Sequence, residues 1–115
     1  MTRWPIAVMV SVPVLALFAY SAAAKSGNAV NGKQLYEDNC MSCHGTAGEG
    51  KPAMYKKVKA KIVHLGSEEA QSKPDDSIRK AITEGVGKMD KVEELETPQQ
   101  VDDVIAYVRT LRIKK

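Results

Sequence analysis

The chain reads as an all-α domain, and three observations carry that reading. Apolar residues recur at spacings of three and four, and no stretch alternates at period two for long. Helix-start chemistry stands at Asn28, at Asp75 or Asp76, and at Thr97. Two glycine-rich stretches, HGTAGEGKPAMY and GVGKMDKVEELE, punctuate the helical patterns as loops.

Residues 1–24 stand apart from the rest. A single cation, Arg3, precedes an apolar run from Ile6 to Tyr20 that is broken by Pro13, and Ala22, Ala23 and Ala24 follow. That is the layout of a secretory signal peptide cleaved after Ala24. The run falls short of the roughly 20 apolar residues a membrane span needs, so no stable membrane span is expected after processing. The expected mature domain is then 25–115, a chain of 91 residues, enough for one domain and too short for two.

In the first helix, with Asn28 as N-cap, Gly32, Leu35, Tyr36, Cys40 and Cys43 fall on one face from about Asn28 to Cys43. The loop after His44 leads to a segment, Met54 to Leu65, in which lysines alternate with Val, Ala and Ile, read as a short helix or an irregular arm. GSEEAQSKP is a polar connection with room for one helical turn. Asp75 or Asp76 then caps a helix that buries Ile78, Ala81 and Ile82 and stops at Gly85 in a left-handed conformation. In the last helix Thr97, Pro98 and Gln100 make a capping-box start. Val101, Val104, Ile105, Val108 and Leu111 form its apolar stripe, with Asp102 and Asp103 near the start and Arg109 and Arg112 near the end, as the helix dipole favours.

Composition narrows the function. Without Arg3 the mature chain has 16 basic and 14 acidic residues, a formal charge of +2 that supports neither nucleic-acid binding nor a strong membrane-surface role. Trp4 and Phe18 leave with the leader, so the mature aromatics are Tyr36, Tyr55 and Tyr107. A domain this small is marginal even with a good core, and a disulfide between its two cysteines would close too short a loop to add much. The composition calls for a bound group.

Cys40, Cys43 and His44 supply the means. At i, i+3 and i+4 they share one helical face. Two thiols at that separation match the two vinyl groups on one edge of a haem, and the adjacent imidazole reaches the iron; C-x-x-C-H is the pattern for covalent c-type haem attachment. A structural zinc site would need His64 as a fourth ligand and has no common zinc spacing. A thioredoxin-like redox pair would need a βαβ setting, and a disulfide across so short a gap would be strained.

On these residues the chain resembles the small monohaem class I cytochromes c. The resemblance runs in order through GKQLYEDNCMSCHG, GKPAM, IRKAITEGVGKM and VIAYVRTL, essentially all of the mature chain. It implies a cytochrome c-like fold of three or more helices around one haem c per chain, bound covalently through Cys40 and Cys43 with His44 as proximal iron ligand. It also implies that Gly32 and Tyr36 pack against Tyr107 where the first and last helices cross. Pro52 looks like the loop proline whose carbonyl accepts the His44 Nδ1 proton.

The sixth iron ligand must come from well along the chain. Met41 lies within the attachment turn, and Met54 is read as packing beside the ring. Met89, in the second glycine-rich loop, is where the family supplies its axial methionine; His64 and an open position are the alternatives. Asp90 follows Met89 where the family often has proline, so the loop is expected to be less rigid.

Ligation by His44 and Met89 keeps substrates off the metal, which suits a one-electron shuttle and not an enzyme. The expectation is a periplasmic, monomeric electron-transfer protein that exchanges electrons with redox partner proteins and binds no nucleic acid. Lys51, Lys56, Lys57, Lys59 and Lys61 are read either as a docking surface for an acidic partner or as an ordinary solvated face. A haem-based gas sensor or peroxidase-like protein with an open distal site, and a haem subunit of a larger redox complex, are the alternative functions.

Overall fold

The computed structural model describes residues 27–115 together with Thr2 and Arg3; the remainder of the expected leader and its cleavage site lie outside the described residues. Among the described residues six helices follow one another: α1 (Ala29–Asn39), α2 (Met41–His44), α3 (Pro52–Val58), α4 (Glu68–Gln71), α5 (Asp75–Glu84) and α6 (Pro98–Thr110). Among the described residues the extended pairing is an isolated bridge between Val86 and Met89, so the all-α expectation holds. No helix among them is long and apolar enough to cross a membrane.

Helix α1 begins as its sequence predicts, with Asn28 Oδ1 accepting the N–H groups of Val30 at 2.9 Å and Asn31 at 3.2 Å. It does not run through to Cys43. Cys40, at φ −121°, ends α1 and opens α2, a break that the unbroken apolar spacing does not signal. Helix α3 starts inside the stretch read as loop, because Pro52 occupies its first turn, where the missing N–H costs nothing. Past Val58 the chain is an irregular arm, so the segment from Met54 to Leu65 is part helix and part arm.

The single turn expected in the polar connection is α4, capped by Ser67 Oγ, which accepts from Ala70 N at 3.3 Å. Helix α5 departs from expectation at its start. Pro74 holds the cap position without a side-chain acceptor, since Asp75 is drawn away to Arg109, at 2.7 Å from Nη2, and Asp76 lies 3.7 Å from Arg79 Nε. At its end Gly85 takes φ +82°, a conformation that favours glycine, and its N–H bonds Ala81 O at 3.1 Å. Its ψ of 164° is extended, so the chain leaves α5 straight into the loop instead of turning back in a left-handed cap. Helix α6 has the full capping box: Thr97 Oγ1 accepts from Gln100 N at 3.2 Å, and Gln100 Oε1 accepts from Thr97 N at 3.0 Å.

The core forms where α1 crosses α6. Gly32 lies so close to α6 that a Cβ there would overlap the Asp103 backbone carbonyl. One turn on, the rings of Tyr36 and Tyr107 pack tilted at 57°, with centroids 5.2 Å apart, a separation at which aromatic pairs add stability beyond their area. Val101, Val104, Ile105 and Val108 bury the α6 stripe against Tyr36, Cys40, Ile82 and Leu95. Each such aliphatic side chain contributes about 1.5–3 kcal/mol on burial.

Candidate functional site

The turn that carries the chemistry is pinned from both sides. Backbone N–H groups of Cys43 and His44 bond Cys40 O at 3.3 and 3.0 Å, which keeps Cys40, Cys43 and His44 on one turn despite the break in the helix. The loop that follows folds back on it, with Gly50 N–H on His44 O at 2.6 Å and Lys51 N–H on Cys43 O at 3.1 Å. These bonds satisfy carbonyls that the end of a short helix would leave orphaned. Tyr36, fully buried in α1, donates its hydroxyl to Gly45 O at 2.6 Å and so fixes the loop to the helix crossing.

Both cysteines are free thiols, Cys40 buried in the core and Cys43 half-buried. Burial, helped by the nearby Cys43, pushes the Cys40 thiol up to about 11, so it is protonated at neutral pH. Burial lowers the affinity of His44 for a proton and favours the neutral imidazole, the form that ligates metal. His44 Nδ1 is buried without a hydrogen-bond partner. Pro52 stands at the first position of α3 and is exposed; no hydrogen bond joins His44 to it in this structure.

Met89 is half-buried in the loop after α5. Paired hydrogen bonds of 2.9 Å between the backbones of Val86 and Met89 close the turn that carries it, and Val92 N–H ties the loop back to Ile82 O at 2.8 Å. His64 lies elsewhere. Its Nδ1 accepts Gly66 N–H at 3.0 Å, and the adjoining Leu65 N–H bonds Gly48 O at 2.8 Å, which places it beside the loop that follows His44. Met54 is half-buried in α3, and Met41 packs against the core while its sulfur accepts from Thr46 Oγ1 at 3.8 Å.

Three polar residues hold roles that the sequence did not assign to them. Glu49 Oε2 accepts Ala47 N–H at 2.8 Å. Its carboxyl is held below the usual range by its own backbone N–H and that of Ala47, with His64 and Lys51 adding to the effect. Gln71 is buried, its Nε2 donating to Leu65 O at 2.8 Å and Val108 O at 2.9 Å, which joins the arm to α6. Asp103 is buried and accepts from Asn28 N at 2.7 Å, Gln99 Nε2 at 2.8 Å and Asn31 Nδ2 at 3.5 Å. Desolvation raises its proton affinity, and the hydrogen bonds outweigh that and hold it below the ordinary carboxylate range.

The donor set fits haem c: two free thiols and an imidazole whose Nδ1 is buried, all on one turn. Among the described residues no three His, Cys, Asp or Glu side chains are grouped to hold a metal ion, so the four ligands of a structural zinc site do not come together. Fold and site define a small c-type cytochrome.

Comparison with known proteins agrees. The cytochrome c family profile matches residues 29–112, and the chain belongs to that family. It is 31% identical over 91 residues to cytochrome c6 of Nostoc sp. (strain PCC 7120), covering 79% of this chain and 78% of the relative. It is 32% identical over 105 residues to cytochrome c6 of Gloeothece citriformis, covering 87% and 90%. A solved structure, the KustC0563 c-type cytochrome, superposes with a TM-score of 0.60 at 27% identity, over 71% of this chain and 98% of that one. Family membership implies a covalently bound haem c, and Cys40 and Cys43 have the spacing for it.

Proposed function

We propose that the protein is an exported one-electron carrier whose haem c is held by Cys40 and Cys43, with His44 and Met89 as the axial iron ligands. The observation that carries this reading is the turn from Cys40 to His44, which brings two free thiols and an imidazole with a buried, unpartnered Nδ1 onto one turn. When bound, haem c supplies an iron that gains or loses one electron. The residues' part is to orient and shield. Tyr36 and Gly50 fix the turn bearing His44, and the Val86 bridge restrains the turn bearing Met89.

Met89 is favoured over His64 because His64 is engaged by Gly66 beside the loop that follows His44, and a sixth ligand must come from the opposite face of the ring from His44. Thioether ligation raises the reduction potential relative to two imidazoles. His44 and Met89 together would hold the iron of the bound group and leave it no open position for a substrate. On this reading residues 1–24 are a signal peptide removed after Ala24, residues 25–115 are the working domain in the periplasm, and a monomer passes electrons between redox proteins. The Pro52 carbonyl is the proposed acceptor for His44 Nδ1, by a small adjustment of the loop once the cofactor is attached.

The test is the absorption spectrum of protein matured with a haem-ligation system, oxidised and dithionite-reduced. A sharp low-spin reduced spectrum with the far-red sulfur-to-iron band in the oxidised form is expected. A low-spin spectrum without that band transfers the sixth position to His64, and a high-spin spectrum favours a sensor or peroxidase-like protein.

A further inference from the structure

The chain has three asparagines, Asn28, Asn31 and Asn39, and of these Asn31 alone is followed by glycine. Asparagine loses its side-chain amide when the backbone nitrogen of the next residue attacks its carboxamide carbon. Glycine in that position favours the attack, because it has no side chain to obstruct the ring that forms and its backbone turns freely. Chemistry therefore singles out the bond between Asn31 and Gly32, which lies in the first turn of α1 at the helix crossing.

The closed structure restrains this bond in three ways. Gly32 N–H, the attacking group, is engaged on Asn28 O at 2.9 Å. Helical geometry at Asn31 keeps that nitrogen off the line to the side-chain carbon, since ring closure demands a ψ far from the helical value of about −42°. Gly32 is buried, and its backbone has no room to swing, with the Asp103 carbonyl and Tyr107 Cβ standing where a side chain of its own would be. All three restraints depend on α6. Helix α1 has 11 residues, fewer than the roughly 12–15 at which an isolated helix is even marginal in water. Undocked, it does not persist, and the bond is then free to react.

The product falls where the fold tolerates it least. In the closed form Asn31 Nδ2 donates to Asp103 Oδ2 at 3.5 Å, on the carboxylate that also accepts from Asn28 N and Gln99 Nε2. A carboxylate at position 31 removes this donor and sets a second negative charge against Asp103. An isoaspartate also adds a backbone carbon next to Gly32, whose seat on α6 has no slack.

We propose that Asn31 is a self-modification site gated by the docking of α1 on α6: chains that stay open lose the Asn31 amide irreversibly and then close poorly, whereas closed chains keep it. In the step, base removes the Gly32 amide proton and the nitrogen forms a bond to Asn31 Cγ. The side-chain nitrogen takes up a proton and leaves as ammonia, and a succinimide ring remains in the chain. Water then cleaves the ring at either carbonyl, giving aspartate or isoaspartate at position 31. One water is consumed and one ammonia released, with no change of oxidation state. Because a domain this small leans on its bound group, a chain without haem c spends longer open and is the form most subject to this loss.

The experiment incubates holoprotein in mildly alkaline buffer, native and unfolded in guanidinium chloride with the haem still attached, and follows amide-to-acid conversion at each asparagine by peptide mass mapping. In guanidinium, Asn31 is expected to convert about tenfold or more faster than Asn28 and Asn39, as the unhindered glycine allows. In native buffer its conversion is expected to slow by about a hundredfold or more, the scale of a helix-opening equilibrium. Asp103→Asn, which loosens the fastening of α1, should speed the native conversion at Asn31 by about tenfold. The consequence is read separately from the chemistry. Asn31→Asp should unfold at a lower denaturant concentration than wild type, and Asp103→Asn should cost less in that background than alone, because it removes one of the two opposed charges. A merely structural role for the Asn31 amide gives no such rescue. Native conversion as fast as unfolded, equal rates at Asn28 or Asn39 in guanidinium, or strictly additive losses in the two substitutions would overturn the proposal.

Discussion

The backbone N–H of Asn28 donates to Asp103 Oδ1 at 2.7 Å, joining residues 75 positions apart. Asn28 thus caps α1 with its side chain while its own N–H is satisfied from α6, and the two ends of the domain are fastened at one carboxylate. Removing that carboxylate strands donors from Asn28, Asn31 and Gln99. Asp103→Ala is expected to destabilise the holoprotein by about 2–3 kcal/mol in urea unfolding, the scale of a lost charge-assisted hydrogen-bond cluster.

The same carboxylate sets a pH dependence. Its folded-state pKa is depressed, so its contribution is fully present above the unfolded-state value of about 4 and is lost as pH falls through the lower folded-state value. Below that unfolded-state value, Asp103→Asn should lose stability less steeply than wild type in an acid titration followed by circular dichroism. An identical slope in the two proteins would show that other carboxylates, Glu49 among them, govern the acid limb.

Gly32→Ala tests the helix crossing. At an exposed helical position this change stabilises by roughly 0.5–1 kcal/mol, but here the added methyl collides with the Asp103 carbonyl and the base of Tyr107. The helices must separate, and a loss of about 3 kcal/mol is expected in thermal or urea unfolding.

Tyr36 and Tyr107 form one aromatic pair and should respond differently to loss of a hydroxyl. Tyr36→Phe leaves Gly45 O without its buried donor and is expected to cost about 1–2 kcal/mol, whereas Tyr107→Phe, which removes no hydrogen bond among the described residues, should stay within about 0.5 kcal/mol. Paired urea titrations give the comparison.

The axial assignment makes a spectral prediction. Met89→Ala should yield a high-spin or ligand-switched haem, with loss of the far-red band, while Met54→Ala and His64→Ala leave the spectrum nearly unchanged. A change confined to Met54→Ala or to His64→Ala would reassign the sixth ligand.

Much of this architecture was legible because local chemistry and tertiary packing agree. Thr97, Pro98 and Gln100 read as a capping box and form one; Asn28 reads as a cap and is one; Gly32, Tyr36 and Tyr107 meet as the family resemblance implies. The misreadings fall where long-range partners overrule local preference. Asp75 is a good capping residue by type, yet Arg109, 34 positions away, claims its carboxylate. Asp103 reads as an acid placed for the helix dipole, and Gln71 as part of a polar connection. A signal for Asp103 did exist, since a Tyr107 that faces α1 obliges the residue one turn earlier to face it too. Nothing local marks Gln71, whose partners lie in the arm and in α6.

The fastening of Asn28 to Asp103 also bears on the order of events in synthesis. A ribosome delivers α1 long before α6, and until the last helix emerges α1 has neither the acceptor for its first residue nor the surface that Gly32 is shaped to meet. The nascent chain therefore cannot close early. Throughout that interval the Cys40 thiol, which the finished core encloses, is still open to solvent.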